Sequence, residues 1–324
     1  MLQTAKNIVI KIGSSLIIGE DNQARAVWLA SLAADIADLK KNGKRVVVVT
    51  SGAVALGRQP LGYGLRKLEL EEKQAAAACG QIILFSLWAD TLREVGLSPA
   101  QILLTADDSI NRRRYLNARN TLETLLENPQ IVPIINENDT VATAELRFGD
   151  NDRLAARVAQ MVGADLLILF SDIDGLYDAD PRRNPSAVFQ EKIIEITPEI
   201  EEMAGGTGSS VGSGGMATKI IAAKIATAAG CNMIIAKGTE NYPLKILLNA
   251  GKCTEFIAKE NPLSARKHWI AGSLHPVGTI TIDEGAIVAL QKGASLLPAG
   301  VKQVVGKFER GDAVLICDRE GNCL

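Results

Sequence analysis

The sequence is nearly without histidine: His268 and His275 are the 2 in 324 residues, both near the C-terminal end. Histidine is the side chain most often used as a general base, so chemistry ahead of His268 has to rest on Lys, Asp, Asn, Ser and backbone amides. Aromatic residues make up only 4%, which leaves Ala, Val, Ile and Leu to build the core, the stock of a helix-covered, mostly parallel sheet. The 5 cysteines, Cys79, Cys231, Cys253, Cys317 and Cys323, form no C-x-x-C pair. Their odd number and wide spacing fit reduced thiols of a cytoplasmic protein and speak against a disulfide or zinc framework. Excess charge is missing too. The formal net charge of −2 offers the whole chain no electrostatic reason to bind a membrane or a nucleic acid. No apolar run approaches membrane-spanning length, and no signal-peptide layout precedes the first strand.

What is present is a chain of 324 residues, 47% hydrophobic, long enough for a large core and two domains. Asn7–Ile12, Arg45–Thr50, 100–105, Asp165–Phe170 and 232–236 read as strands. They alternate with helical patterns at Ala26–Leu39, 69–95, 107–127 and 216–229. A helix near 242–249 and a short strand at 254–258 close this part. Alternation of this kind predicts a doubly wound, three-layer α/β domain. The composition changes at Asn261-Pro262, a linker. Beyond it, short runs at Thr279–Ile282, Ile287–Leu290, Val301–Val305 and Ala313–Ile316 predict a small β-rich domain of strands.

The most informative stretch is IVPIINENDTVATAELRFGDND, 131–152. It opens as an apolar run, Ile131 to Ile135, in which Pro133 argues for an edge strand or a strand end. It then breaks into Asn136, Glu137, Asn138 and Asp139 with no turn glycine among them. A second cluster, Gly149, Asp150, Asn151 and Asp152, stands where a helix begins. Asp150 or Asn151 could simply cap that helix. Four consecutive hydrogen-bonding side chains straight off a strand are more than a turn requires. Ligands of open α/β sheets bind beyond the carboxyl ends of the strands, so 136–152 reads as a polar small-molecule site.

Lys11 stands inside an apolar strand, where a lysine is costly unless its ammonium reaches solvent or a partner. It is either a snorkelling edge residue or a group reaching past Gly13-Ser14-Ser15 toward a phosphate. The tract GGTGSSVGSGGMATK, Gly205–Lys219, is a linker by composition and a phosphate cradle by position, since a helix start offers free N–H donors. It contains no Walker loop, and its formal G-x-G-x-x-A match at Gly212, Gly214 and Ala217 has no strand before it. Ser51-Gly52-Ala53 and Ser171-Asp172 are also strand ends. Strands starting at 7, 45, 131 and 165 all empty into Gly, Ser, Asn or Asp. Lysines and carboxylates converging on one sheet edge suit phosphoryl transfer, which depends on positioning and charge neutralisation.

The segments VIKIGSS, VVVVTSGAVALG, LLTADD, YLNARNTL, PIINENDTVAT, FGDND, SDIDGLYDADPR, GSGGMATK and ASLLPAG follow one another along the whole chain. In this order they resemble the glutamate 5-kinase branch of the amino acid kinase family, which carries a C-terminal PUA domain. The resemblance implies a three-layer α/β/α amino acid kinase domain over 1–258 and a PUA-like domain over 266–324. It implies ATP-dependent phosphorylation of the side-chain carboxylate of L-glutamate, with Mg²⁺, as the first step of proline biosynthesis. By the same resemblance Lys11 and Lys219 stabilise the moving phosphoryl group, and Asp152 holds those lysines. Ser51, Asn136, Asp139 and Asn151 match glutamate-binding positions, with Asp139 facing the α-amino group. Lys11, Ser171, Asp172, Ser213, Gly214, Gly215, Met216, Ala217, Thr218 and Lys219 match nucleotide-binding segments, and no residue is assigned to a metal. Feedback inhibition by proline, a cytoplasmic location and a homodimer or homotetramer are further implications. The PUA-like region is expected to be cut short, because it stops soon after ICDREGN, where relatives continue.

Two other readings compete. One keeps the fold and changes the substrate to acetylglutamate, aspartate, carbamate or UMP, against which NEND and the PUA-like tail argue. The other is an RNA-binding protein. From Arg266 onward, however, 7 basic residues face 6 acidic ones, too even a balance for a surface that tracks phosphates.

Overall fold

The β-branched runs become one eight-stranded sheet in the computed structural model, which describes residues 1–19, 23–142, 151–205, 215–265, 276–309 and 312–323. Its strands are β1 (Asn7–Ile12), β2 (Arg45–Val49), β3 (Ser98–Leu104), β4 (Ile131–Glu137), β5 (Leu166–Ser171), β8 (Lys192–Ile193), β9 (Asn232–Lys237) and β10 (Cys253–Phe256). The hairpin of β6 (Leu176–Tyr177) and β7 (Phe189–Gln190) stands apart from it. The order across the sheet is β3-β4-β2-β1-β5-β9-β10-β8, parallel except where β10 runs against β9. From β1 the chain first builds outward through β2 and then restarts on the other side with β5. That reversal between β1 and β5 is the place where doubly wound sheets bind ligands.

Helices cover both faces. On one lie α1 (Ser14–Ile17), α2 (Ala26–Lys41), α3 (Ala53–Arg58), α4 (Leu70–Glu94) and α10 (Pro243–Leu248). On the other lie α5 (Ala106–Ile110), α6 (Arg112–Glu127), α7 (Asn151–Val162) and α9 (Met216–Ala228), with α8 (Pro198–Met203) beside them. Side chains alternate along a strand. Ile8, Ile10 and Ile12 therefore pack under α2 and α4, while Val9 packs under α7 and α9. Lys11 follows Val9 onto the α7/α9 face. Each fully buried Ile or Leu on these faces contributes about 1.5–3 kcal/mol.

Four local expectations need correction. Pro133 lies in an interior strand, since β4 has β3 on one side and β2 on the other. The proline is tolerated because the β2–β4 pairing begins only at Val48↔Ile134. Upstream of that point no ladder bond to β2 is needed, and the Lys40 ammonium binds the Ile131 carbonyl at 2.8 Å. The helix expected at 107–127 is two helices. Asn111 breaks it and caps α6, its side chain accepting from the amides of Arg113 and Arg114 at 3.1 and 3.2 Å. The strand expected at Ile287–Leu290 is α11 (Glu284–Gln291), capped by Asp283, whose carboxylate accepts from the Ala286 amide at 2.9 Å. A short apolar run has no period of its own, and the cap decides it. It lies beside a three-stranded sheet of β11 (Gly278–Ile282), β12 (Val301–Gly306) and β13 (Val314–Cys317). Finally, α4 is 25 residues long and by length and composition could cross a membrane. In the fold its Leu84, Trp88 and Leu92 are fully buried in the core under the sheet.

Two glycines set how α3 meets α4. A Cβ on Gly80 would fall on the Ala53 carbonyl, and one on Gly57 on the Ala76 carbonyl. The helices thus touch backbone to backbone, and Ser51 sits just before α3. Gly80→Ala should push them apart and cost about 1–3 kcal/mol, the usual penalty of overpacking. The check is the urea midpoint at constant m-value; an unchanged midpoint would mean that α3 moves away freely.

Candidate active site

Lys11, near the end of β1, is only 5% exposed. Its Nζ lies 2.5 Å from Oδ1 of Asp152, which is fully buried at the start of α7. The other oxygen of that carboxylate, Oδ2, accepts from Lys219 Nζ at 3.0 Å. Thr218 completes the cluster: its hydroxyl lies 3.3 Å from Asp152 Oδ2 and donates to the Gly215 carbonyl at 2.7 Å. Burial works to raise the Asp152 pKa, but the charges of Lys11 and Lys219 outweigh it and hold the carboxyl below its ordinary range. One carboxylate shared by two ammoniums gives these three groups a net positive charge, which suits an anion in transit.

The approach to this cluster is shaped by small residues. A Cβ on Gly13 would come within 3.9 Å of both Lys11 Nζ and the Phe170 carbonyl, so the backbone after β1 runs close to the end of β5. Ser171 ends β5, and its hydroxyl donates to Asp172 at 2.9 Å. On the far side α9 begins at Met216 and Ala217 behind Gly215. No side-chain cap bond and no acidic residue occupy its first turn. Free N–H groups at a helix start attract anions.

One residue before Asp152, Asn151 ties together two strand ends, those of β2 and β4. Its Nδ2 lies 2.5 Å from the Thr50 carbonyl, 2.9 Å from Ser51 Oγ and 2.9 Å from Asn136 Oδ1. Two hydrogens are thus shared among three acceptors. Asn136, 3% exposed, still belongs to β4, and its amide donates to Gln81 Oε1 at 2.8 Å. Asp139 lies past the strand end, where it lines a cleft of about 450 Å³ with Gln81, Glu137, Asn138 and Thr140. Lys11, Asp152, Thr218 and Lys219 are therefore brought into one cluster, and Ser51, Asn136 and Asn151 into a second. Asp139 sits in a cleft beside the second, and Ser171 and Asp172 lie at the neighbouring strand end. Ser213 and Gly214, like Gly149 and Asp150, lie outside the described residues.

Sequence reasoning missed Gln81. Its only signal is to be the one polar side chain in the run 75–85, AAAACGQIILF. It also missed the Thr50 carbonyl, which no side-chain pattern could reveal. Among the described residues no group of three His, Cys, Asp or Glu could cage a metal ion, and Asp152 is taken up by its lysines.

Comparison with known proteins gives the family. Residues 6–237 match the family model of the amino acid kinase family, and residues 278–324 that of the PUA domain. The chain is 58% identical over 324 residues to glutamate 5-kinase of Paramagnetospirillum magneticum, covering 100% of this chain and 87% of the relative. It is 57% identical over 316 residues to glutamate 5-kinase of Rhodopseudomonas palustris, covering 97% and 84%. Among solved structures it resembles carbamate kinase from Giardia lamblia bound to AMP-PNP, with TM-score 0.55, 17% identity, and coverage of 80% of this chain and 100% of that one. UMP kinase from Ureaplasma parvum is similar in fold, with TM-score 0.54, 16% identity, and coverage of 78% and 98%. The match over most of its length, on the fold that carries the lysine pair to the switch point, means that the chain belongs to the amino acid kinase family.

Proposed function

We propose that this chain transfers the γ-phosphoryl group of ATP to the side-chain carboxylate of L-glutamate, giving L-glutamyl 5-phosphate and ADP, the first step of proline biosynthesis. The observation that carries the reading is the pair of buried lysines clamped by Asp152, one residue from the amide and hydroxyl network of Asn151, Ser51 and Asn136. One end suits phosphate, the other a polar amino acid.

In the reaction a carboxylate oxygen forms a bond to the γ-phosphorus as the bond to the bridging oxygen of ADP breaks. The glutamate side chain is already ionised at neutral pH, so no general base is required, in accord with a kinase unit whose described residues contain no histidine. Lys11 and Lys219 neutralise charge spread over the moving group, and Asp152 fixes their ammoniums in place. The N–H groups at the start of α9, together with Ser171 and Asp172, hold the nucleotide. Mg²⁺ would come with ATP and neutralise charge on its phosphates; no residue of the chain is assigned to it.

Ser51, Asn136, Asn151 and Asp139 hold glutamate, with Asp139 facing the α-ammonium. Asp139→Asn keeps the size and removes the charge. It should raise the KM for glutamate by one or more orders of magnitude, since breaking one desolvated charge pair costs about 2–5 kcal/mol. Initial rates at varied glutamate and varied ATP check it. A shift confined to the KM for ATP would reverse the assignment of the two halves.

The function itself is tested by ATP consumption with glutamate, N-acetylglutamate and aspartate side by side; turnover on either of the last two in preference to glutamate would overturn it. Proline carries the same α-carboxylate and ammonium-type nitrogen as glutamate, so we infer that it inhibits by competing there, read as a rising KM for glutamate. We also infer a homodimer or homotetramer, to be weighed by light scattering, acting in the cytoplasm. The catalytic unit is residues 1–258, because every residue of the proposed site falls between Lys11 and Lys219. A chain cut after Ala258 that still melts cooperatively should keep turnover, and total loss would mean that residues beyond it complete the site.

A further inference from the structure

Cys317 ends β13, and Cys323 lies across a tight turn from it as its antiparallel bridge partner. Asp318 builds that turn. Its carboxylate accepts from the amides of Glu320 and Asn322 at 2.9 and 2.8 Å and from the Asn322 side chain at 2.9 Å. Gly321, with φ +88°, supplies the left-handed residue the turn needs. The Asp318 amide donates to the Asn322 carbonyl at 2.9 Å, which makes 318–322 a hydrogen-bonded pair and 317–323, one step outward, a non-hydrogen-bonded pair. In such a pair the Cα atoms stand about 4.5 Å apart with both side chains on one face. A disulfide spans Cα separations of about 4.4–6.8 Å. The two residues are free thiols here, Cys317 buried and Cys323 exposed. The spacing of cysteines in the sequence marks no such pair; only the turn brings them face to face.

We propose that Cys317 and Cys323 form a reversible dithiol–disulfide site, oxidised by a low-molecular-weight disulfide. The exposed Cys323, as thiolate, attacks one sulfur of the small disulfide and expels one small thiol, leaving a mixed disulfide. Cys317 then loses its proton, attacks the Cys323 sulfur and expels the second small thiol. Two protein S–H groups and one external S–S bond are exchanged for one internal S–S bond and two external S–H groups. Cys317 is the second actor because its hydrogen bond to Cys323, with burial, pushes its thiol up to about 11, too high for it to attack first. The new bond ties the turn to the end of β13, a strand that pairs in parallel with β11.

The test is to treat the full chain with glutathione disulfide, unfold it in N-ethylmaleimide, and map the cysteines by mass spectrometry. Expected are two fewer alkylated cysteines than in the untreated chain and one cross-linked peptide joining 317 to 323. Dithiothreitol should restore both thiols. In Cys317→Ser, glutathione should remain attached to Cys323, because nothing is present to displace it. Full alkylation of both cysteines after treatment would overturn the proposal, as would a glutathione adduct on Cys323 that persists in the parent chain.

Discussion

Lys219→Ala is expected to lower kcat by about two to three orders of magnitude while the KM for glutamate changes little, the loss typical when one preorganised group facing transition-state charge is removed. Its ammonium reaches the site by way of Asp152, 3.0 Å away, on a helix with no side-chain cap and no acidic residue in its first turn among the described residues. In the proposed reaction it faces a phosphoryl group in flight between two oxygens, an arrangement reached only in the transition state, so the interaction would act more on the transition state than on bound glutamate. Lys219→Arg would keep the charge and misplace it, and should recover only part of the rate. Steady-state kinetics decide. Near-normal turnover combined with weak glutamate binding would put Lys219 among the glutamate-holding residues.

Asp152→Asn is expected to damage both fold and rate. Two ammoniums share one fully buried carboxylate, and removing one partner of a buried ion pair costs about 3–5 kcal/mol. The sign of the pH dependence follows from the direction of the shift. The lysines hold the Asp152 carboxyl below its ordinary 3.8, so its stabilising contribution is complete above that pH. It is lost as pH falls through the lower, folded-state value. Urea midpoints of parent and variant should therefore differ most at neutral pH and converge in acid. Equal midpoints at pH 7 would show that the cluster is not held together by charge. Turnover should fall with stability at pH 7, because lysines without their carboxylate no longer share one position.

Much of the fold and of the site is legible in the chain itself. The NIVIKI and RVVVV runs announce strands through their β-branched residues, and the polar residues at their ends announce a site. These signals are local, since side-chain period and turn chemistry are properties of neighbours in sequence. They mislead where a local pattern is ambiguous or a distant partner intervenes. Ile287–Leu290 is too short to show its period, and Asp283 turns it into helix. Pro133 looks like an edge signal, yet it is absorbed inside the sheet because β2 pairs with β4 only beyond it and Lys40 takes the Ile131 carbonyl.

The sequence by itself determined the materials: a lysine in a strand, an aspartate opening one helix, a second lysine opening another, and a chain built to alternate strand with helix. Only the tertiary structure decided that Lys11 turns toward the face covered by α7 and α9, where Asp152 can take one ammonium on each oxygen. It alone recruited Gln81 from an alanine-rich helix to hold Asn136. The reason is physical. Period and propensity specify which side of an element is apolar, but which elements share that side depends on the handedness and order of the crossovers. A buried charge cluster is settled by that order, since its members come from strands and helices that no local rule connects.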